Sequence, residues 1–229
     1  SQIRTAVRTR GQILILTDTS AHGMSFIGAP FTFGFQQLGS NCGAISAHAA
    51  VDVGGIVRWM SNDAFYQFDG TVRKIPCTVE DFVFDNIEPK QLEQVYAGSN
   101  SAFGEVWWLY CTTDSNQIDR YVIFNYQENL WYTGTLVRST WIDTGTYSLP
   151  YATKYDGSSS STLYVHESGK DDDGSTMTSY IESGDFDIGD GDDMMFIVRM
   201  IPDFKDQVGN VNISLKSRYY PSDTQTTKG

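Results

Sequence analysis

The chain has 229 residues, which is enough for one large domain or two small ones with a hydrophobic core. Hydrophobic residues make up 40% and aromatic residues 14%, which excludes a disordered polypeptide. The formal net charge of −12 has the wrong sign for a protein that holds nucleic acid by its phosphates, because such proteins displace counterions with Lys and Arg.

The first residues, SQIRTAVRTR, have no initiator Met and no apolar stretch of signal-peptide type behind their arginines. They read as the middle of running structure, so we expect the 229 residues to be a fragment or an ordered part of a longer polypeptide. No apolar run approaches the ~18 residues of a membrane-spanning helix, and we expect no membrane insertion by this chain.

Two units in the middle of the chain show the alternation of bulky and polar residues that is typical of short antiparallel strands. Asn, Asp and Gly cut the alternation into segments, as tight turns require. The predicted strands are 55–60, 64–68 and 71–75 in the first unit, and 105–110, 120–125 and 130–133 in the second. Each unit is therefore predicted to be a three-stranded meander.

Fainter copies of this pattern flank the two units, at residues 11–26 and at residues 151–166 with a turn at Asp156-Gly157. The four copies start at about residues 11, 55, 105 and 151, so their spacing is 44, 50 and 46 residues. A β-propeller blade of four strands takes roughly 40 to 50 residues. The sequence thus predicts an all-β chain made of β-propeller blades, with a further β-rich element after them.

Residues 19–51 contain no Asp, Glu, Lys or Arg, yet carry several bulky apolar side chains. The interpretation is an uncharged linker that lies on or between subunits, or an inter-blade crossover buried against its own propeller. Since this stretch would expose a large apolar patch to water, we expect the blades or a neighbouring subunit to cover it. One short helix is predicted at residues 87–96, with Pro89 in the first turn.

The composition shifts after the last meander. The segment from Glu167 to Asp193 contains ten acidic residues and one basic residue, Lys170, so its net charge is −9. Beyond this acidic segment, residues 195–201 and 211–217 alternate as two further strands, and a polar tail follows from Ser222. We therefore predict propeller-like blades in residues 1–175 and a second β-rich element in residues 176–229.

The acidic segment resembles a calcium loop, because alternating carboxylates bring several oxygen ligands to one cation. The register of an EF-hand fails, since a loop that starts at Asp185 has Gly189 at position 5, Asp190 at position 6 and Phe196 at position 12. A calcium site of another type, with Asp185, Asp187 and Asp190 as first ligands, stays open beside a solvated acidic turn. The segment could also supply a glycosidase acid/base pair, although no spacing demands it.

Signatures of enzymes are absent from the sequence, which has no GxSxG, HExxH, GxGxxG or P-loop motif. His22, His48 and His166 stand far apart, and His166 with Glu167 is interpreted as a surface pair. The three cysteines fit neither a disulfide framework nor a zinc pair and are interpreted as reduced core thiols. The sequence therefore predicts no catalytic, cofactor-binding or metal-binding residue, and we expect that the protein is not an enzyme.

Aromatic residues on the predicted strands leave two possibilities open. They could form a platform on which sugars stack, or they could pack between blades, as alternating strand positions usually do. The residues concerned are Trp59, Trp107, Trp108, Trp131, Tyr132 and Trp141.

Three stretches, at 54–84, 105–136 and 180–204, contain the phrases WMSNDAFYQFDG, EVWWLY and DFDIGDG. In them the chain resembles the tail nozzle or tail hub proteins of short-tailed, podovirus-type phages, a family that includes tail tubular protein B. The resemblance covers most of the chain. The chain differs from the family in length, because such proteins are usually several times longer.

The resemblance implies a structural virion protein without catalytic residues, made in the host cytoplasm and built into the tail. Its subunits would form a homohexameric, ring-shaped conduit through which genomic DNA passes without specific binding. Tail adaptor and tail fibre or spike proteins would dock on it. A carboxylate-rich wall agrees with such a conduit because it repels phosphate.

Two alternatives of other classes remain. The first is a propeller glycosidase or polysaccharide lyase that uses acids of residues 182–193 and the tryptophans. The second is a propeller adhesin that binds a host glycan or protein without chemistry.

Overall fold

The structure is a computed structural model, and it is all-β. The residues that it describes are 1–155, 157, 160–177, 179–191, 193–207, 209–220 and 222–228. The predicted turn residue Asp156 lies outside this described part. The chain divides into two compact units, Ser1–Lys170 and Asp171–Gly229, where the sequence predicts a boundary near residue 175.

The first sheet has four antiparallel strands in chain order. Their bounds are Ile3–Arg8 (β1), Ile13–Thr17 (β2), Ser20–Phe26 (β3) and Phe33–Ser40 (β4). Leu14 and Leu16 of β2 are fully buried, while Ile13 and Ile15 lie on the other face, since successive side chains of a strand point to opposite faces. Strand β3 contains the second strand predicted for the copy at residues 11–26, which is confirmed. Strand β4 lies in the segment predicted to be an uncharged linker or crossover, and that prediction is wrong for residues 33–40.

The second sheet repeats this meander. Its strands are Ala50–Val53 (β5), Ile56–Met60 (β6), Phe65–Phe68 (β7) and Val72–Ile75 (β8). After β8 the chain forms one short helix, α1 (Glu80–Phe84), and a 3-10 segment, Pro89–Gln94. Glu88 caps this segment by accepting a hydrogen bond from the Lys90 backbone N–H at 3.1 Å, and Pro89 is its first residue. The helix predicted at residues 87–96 is therefore present as a shorter segment with 3-10 instead of α-helical geometry.

The third sheet has the strand order β12-β11-β10-β9. Its strands are Tyr96–Asn100 (β9), Glu105–Tyr110 (β10), Arg120–Asn125 (β11) and Leu130–Thr135 (β12). Both central meanders thus have one strand more than the sequence predicts, because β5 and β9 precede the segments with clear alternation. Small residues such as Gly98 obscure the pattern in β9.

The fourth sheet has three strands, Thr140–Ile142 (β13), Tyr151–Tyr155 (β14) and Ser161–Val165 (β15). It approaches the third sheet at Gly98 of β9. A β-carbon added at Gly98 would lie 2.5 Å from Cδ1 of Trp141, so only glycine allows this close contact.

The four sheets pack face to face in chain order. One core lies between the first and second sheets, a second between the second and third, and a third between the third and fourth. In β10, Val106 and Trp108 belong to the second core, whereas Trp107 and Leu109 pack in the third. The first strands also lie side by side, since β1 contacts β5, β5 contacts β9 and β9 contacts β13.

The described residues of the second unit form two short strand pairs and one 3-10 turn, Gly189–Gly191. The paired strands are Asp171–Asp172 (β16) with Ser175–Thr176 (β17), and Leu215–Ser217 (β18) with Thr226–Lys228 (β19). The predicted strand at residues 195–201 is not observed, and the predicted strand at 211–217 is reduced to β18. The predicted polar tail instead supplies β19, the partner of β18.

Candidate functional site

The outward face of the first sheet carries a continuous set of apolar side chains. Ile13 of β2 pairs with Met24 of β3, which pairs with Phe35 of β4, so all three lie on one face. Phe26 and Phe33 form the next row, with their ring centroids 6.1 Å apart in an edge-to-face arrangement. Phe26, Phe33 and Phe35 are 73%, 51% and 68% exposed, although the opposite face of the same sheet is buried.

A groove of about 490 Å³ opens on this face. Ile13, Met24, Phe26 and Phe33 are among the residues that line it. Arg8 contributes a cationic group to the lining. The blades cover Cys42, Ala44, Ile45 and Ala49 of the stretch 19–51, whereas these rings are open to solvent, and their covering by a neighbouring subunit stays a prediction.

The fourth sheet also has one buried and one exposed face. Trp141 and Ala152 point to the third sheet and are almost fully buried. On the opposite face Ile142, Leu163 and Val165 are 47%, 63% and 45% exposed. Two sheets in the middle of the stack therefore bury both faces, and the two end sheets bury one face each.

These two outward apolar faces are the candidate functional site. Exposed apolar patches of soluble proteins mark interaction surfaces, because burial of such a patch removes apolar area from water. The sequence carries a signal for the first face, since Phe33 and Phe35 alternate with small or polar residues as strand residues do. The absence of charges in this stretch suggested a linker and hid that signal.

The histidines do not form a joint site. Ser20 Oγ lies 2.9 Å from His22 Nε2 and 2.8 Å from Thr17 Oγ1. Thr17 Oγ1 also accepts from the Ser20 backbone N–H at 2.9 Å, so these groups close the turn between β2 and β3. In the part of the chain that the structure describes, no carboxylate hydrogen-bonds to His22, as a nucleophile-base-acid relay would need.

His166 is not the surface residue that the sequence suggested. Its ring packs on Trp141, and its Nε2 accepts a hydrogen bond of 3.1 Å from Arg138 Nε. The Arg138 guanidinium lies over the Tyr164 ring at 3.8 Å. Burial, and secondly the charge of Arg138, lower the pKa of His166 to about 4, so the imidazole is neutral near pH 7 and serves as an acceptor.

The acidic segment shows ion pairs where the structure describes it. Asp185 pairs with Arg218, and Glu182 Oε1 lies 2.6 Å from Lys216 Nζ. Asp192 and the side chain of Asp190 lie outside the described part. Among the described residues, no three His, Cys, Asp or Glu side chains form a group that could hold a metal ion.

The tryptophans pack between sheets and fasten them, which confirms this interpretation for the buried ones. Trp59 and Trp108 are fully buried, and Trp141 is 4% exposed. Trp108 Nε1 of the third sheet donates to the carbonyl of Ala49, just before β5, at 3.0 Å. Trp141 Nε1 of the fourth sheet donates to the carbonyl of Ser99 in β9 at 2.7 Å.

The three cysteines are free, and burial disfavours the reactive thiolate form of each. Cys42 and Cys111 are buried, and Cys77 is half-buried. Burial raises the pKa of all three thiols, in Cys77 and Cys111 to about 11, so the thiolate form is rare near pH 7.

Within the described residues, no helix has both the length and the apolar character that crossing a membrane would require. No protein-family profile matches the sequence, and no curated protein is significantly similar to it. Among solved structures, a 2S albumin seed protein from Dolichos aligns with 11% identity and a TM-score of 0.33. The alignment covers 72% of this chain and 92% of the albumin. A TM-score at this level carries no assignment of fold or function.

Proposed function

We propose that this chain is a structural, non-enzymatic component of the tail of a short-tailed phage, of the nozzle or hub type. In this role it forms part of a ring-shaped conduit for DNA ejection and a docking surface for other tail proteins. The observation that carries the proposal is the stack of meander sheets that ends on two exposed apolar faces. Such an element is suited to assembly with neighbours.

The four sheets serve, in this proposal, as consecutive blades of a β-propeller. Each is an antiparallel meander, and each interior sheet packs against the one before and the one after it. The side-by-side contacts of β1, β5, β9 and β13 support a common axis lined by the first strand of each blade. A propeller protects strand edges and buries both wide faces of every blade.

The two outward faces fit a further β-sheet on each side, because β-sheets pack through apolar faces about 10 Å apart. Neighbouring sheets of a homohexameric ring meet this requirement. Tail adaptor and tail fibre or spike proteins dock on the same assembly in the virion.

The charge distribution supports passage of DNA without retention. The segment from Glu167 to Asp193 carries a net charge of −9, and its described side chains are exposed. Carboxylates repel phosphate within a Debye length of about 8 Å at physiological salt. A wall of this charge lets genomic DNA pass without specific binding.

Light scattering and negative-stain imaging of the purified protein test the proposal, together with incorporation into tails. We expect rings and co-assembly with tail proteins. A strict monomer at high concentration that never enters tails would contradict it. If the protein hydrolyses or cleaves host-surface polysaccharides and loses this activity on Asp185→Asn and Asp187→Asn, the glycosidase or lyase hypothesis replaces the proposal. If a monomer binds host cells, the adhesin hypothesis replaces it.

A further inference from the structure

Three oxygen-bearing side chains meet where the third and fourth sheets join, outside the apolar faces described above. Asn100 ends β9 and Glu105 begins β10, and the two are direct cross-strand partners, so their side chains share a face. This is the face of Trp107, which packs toward the fourth sheet. Glu167 follows β15 of the fourth sheet and reaches the same place.

Hydrogen bonds fix one oxygen of each carboxylate. Asn100 Nδ2 donates to Glu167 Oε1 at 3.0 Å, and Trp107 Nε1 donates to Glu105 Oε2 at 3.0 Å. No hydrogen bond from the described residues reaches Glu105 Oε1 or Glu167 Oε2. Each carboxylate is therefore held in place by one oxygen and keeps the other for a ligand.

Asn100 supplies an independent observation. It is completely buried, and its Oδ1 has no hydrogen-bond partner among the described residues. The amide nitrogen of this side chain donates to Glu167, and the unpartnered oxygen is part of the same amide group. A buried acceptor without a partner is rare in proteins, and each case needs a structural reason.

The cluster is also held rigidly. Asp143 Oδ2 accepts from Ser99 Oγ at 2.7 Å and from the Ser101 backbone N–H at 3.0 Å, so it clamps the residues on both sides of Asn100. Glu105 and Glu167 interact as like charges, and no ion pair joins either of them to a basic residue within the described part of the chain.

We propose that Asn100 Oδ1, Glu105 and Glu167 bind a calcium ion that fastens the end of the fourth sheet to the third. Calcium takes six to eight oxygen ligands, including carboxylates and amide carbonyls, in flexible geometry. The exposed side of Glu167 leaves room for water ligands to complete the shell. This proposal does not depend on the proposed function, because it concerns only the joint between two sheets.

Terbium luminescence in the full chain tests the site, because Trp107 is hydrogen-bonded to Glu105 and can transfer excitation to a bound lanthanide. We expect sensitised terbium emission that calcium displaces, and a higher melting temperature in calcium than in EDTA. Glu167→Gln removes an exposed carboxylate and should raise the Kd for calcium at least tenfold. Glu128→Gln, an exposed carboxylate in the turn between β11 and β12, is the matched control and should leave the Kd unchanged.

Two results would overturn the proposal. If calcium changes neither emission nor melting temperature in the wild type, a water molecule satisfies Asn100 and no ion binds. If Glu167→Gln binds as the wild type does while Asp185→Asn with Asp187→Asn loses binding, the ion sits in the acidic segment. Glu105→Gln serves as a second variant, and unchanged calcium affinity in a folded Glu105→Gln protein would likewise contradict the site.

Discussion

Trp108 tests most sharply whether the sheets are held together by buried aromatic packing. Its side chain is fully buried between the second and third sheets, with ring centroids 4.9 Å from Phe65 and 6.1 Å from Trp131. Removal of a buried Trp costs about 3–5 kcal/mol through lost transfer energy and the cavity left behind. The Ala49 carbonyl would lose one of its two donors but would keep the Met60 backbone N–H at 3.2 Å, so it stays satisfied.

We therefore expect Trp108→Ala to lower the free energy of unfolding by about 4 kcal/mol. With a urea m-value of about 2 kcal/mol/M, the midpoint should fall by about 2 M. Far-UV circular dichroism is the suitable signal, because it does not depend on the fluorophore that is removed. Tyr132→Ala, 40% exposed in the same sheet, is the matched control and should change stability by less than about 1 kcal/mol.

Trp108→Phe separates the two contributions, since it keeps an aromatic ring and removes the N–H donor. Because the Ala49 carbonyl keeps the Met60 N–H, we expect the lost hydrogen bond to cost about 0.5–1.5 kcal/mol. A Trp108→Ala protein that unfolds within 1 kcal/mol of the wild type would refute the reasoning. That result would favour the alternative in which the tryptophans form a platform on which sugars stack.

Three further predictions concern the exposed face, the buried imidazole and the acidic segment. Phe33→Asp should leave the melting temperature near that of the wild type, because Phe33 is 51% exposed, but it should reduce the oligomer mass in light scattering; an unchanged mass contradicts the role of this face. The pKa of His166 lies at about 4 in the folded state and near 6.5 in the unfolded chain, so the free energy of unfolding should fall as pH drops from about 6.5 toward 4. His166→Gln should make this pH dependence weaker in urea titrations. An unaltered pH dependence would show that the histidine is not its cause. Neutralising Asp190, Asp192 and Asp193 to Asn should increase retention of DNA in filter binding with little change in stability, and equal retention would remove the electrostatic argument.

The meander strands were predictable where one sequence pattern dominates. In β6 and β10, bulky residues point to both neighbouring sheets, so strong β-formers such as Val57 and Trp108 mark the strands clearly. The first sheet was partly missed for a physical reason. Met24 and Phe35 lie on an apolar face that is exposed, whereas sequence interpretation expects polar residues on a solvent-facing strand surface.

Residues 195–201 show the opposite error. Their alternation is that of a strand, but a strand also needs a partner that supplies hydrogen bonds, and the described residues offer none to this segment. The polar residues Thr226–Lys228 pair with β18 instead, although their composition suggested a tail. The alternation of apolar and polar side chains indicates which residues are buried. Whether a segment forms a strand depends also on a second segment that lies beside it and supplies backbone hydrogen bonds.

The oxygen cluster could not be predicted from the sequence at all. Asn100 and Glu105 are joined by a cross-strand pairing, and Glu167 comes from a different sheet. Neither the spacing of these residues nor their composition resembles a metal-binding motif. Only the packing of the fourth sheet on the third brings them together.

Imaging of the purified protein by negative-stain electron microscopy, with the mass measured by light scattering, tests the central proposal most directly. We expect closed rings with the mass of a homohexamer, and their loss in Phe33→Asp. A protein that stays monomeric and shows no rings at high concentration would contradict the proposed role as a structural ring subunit.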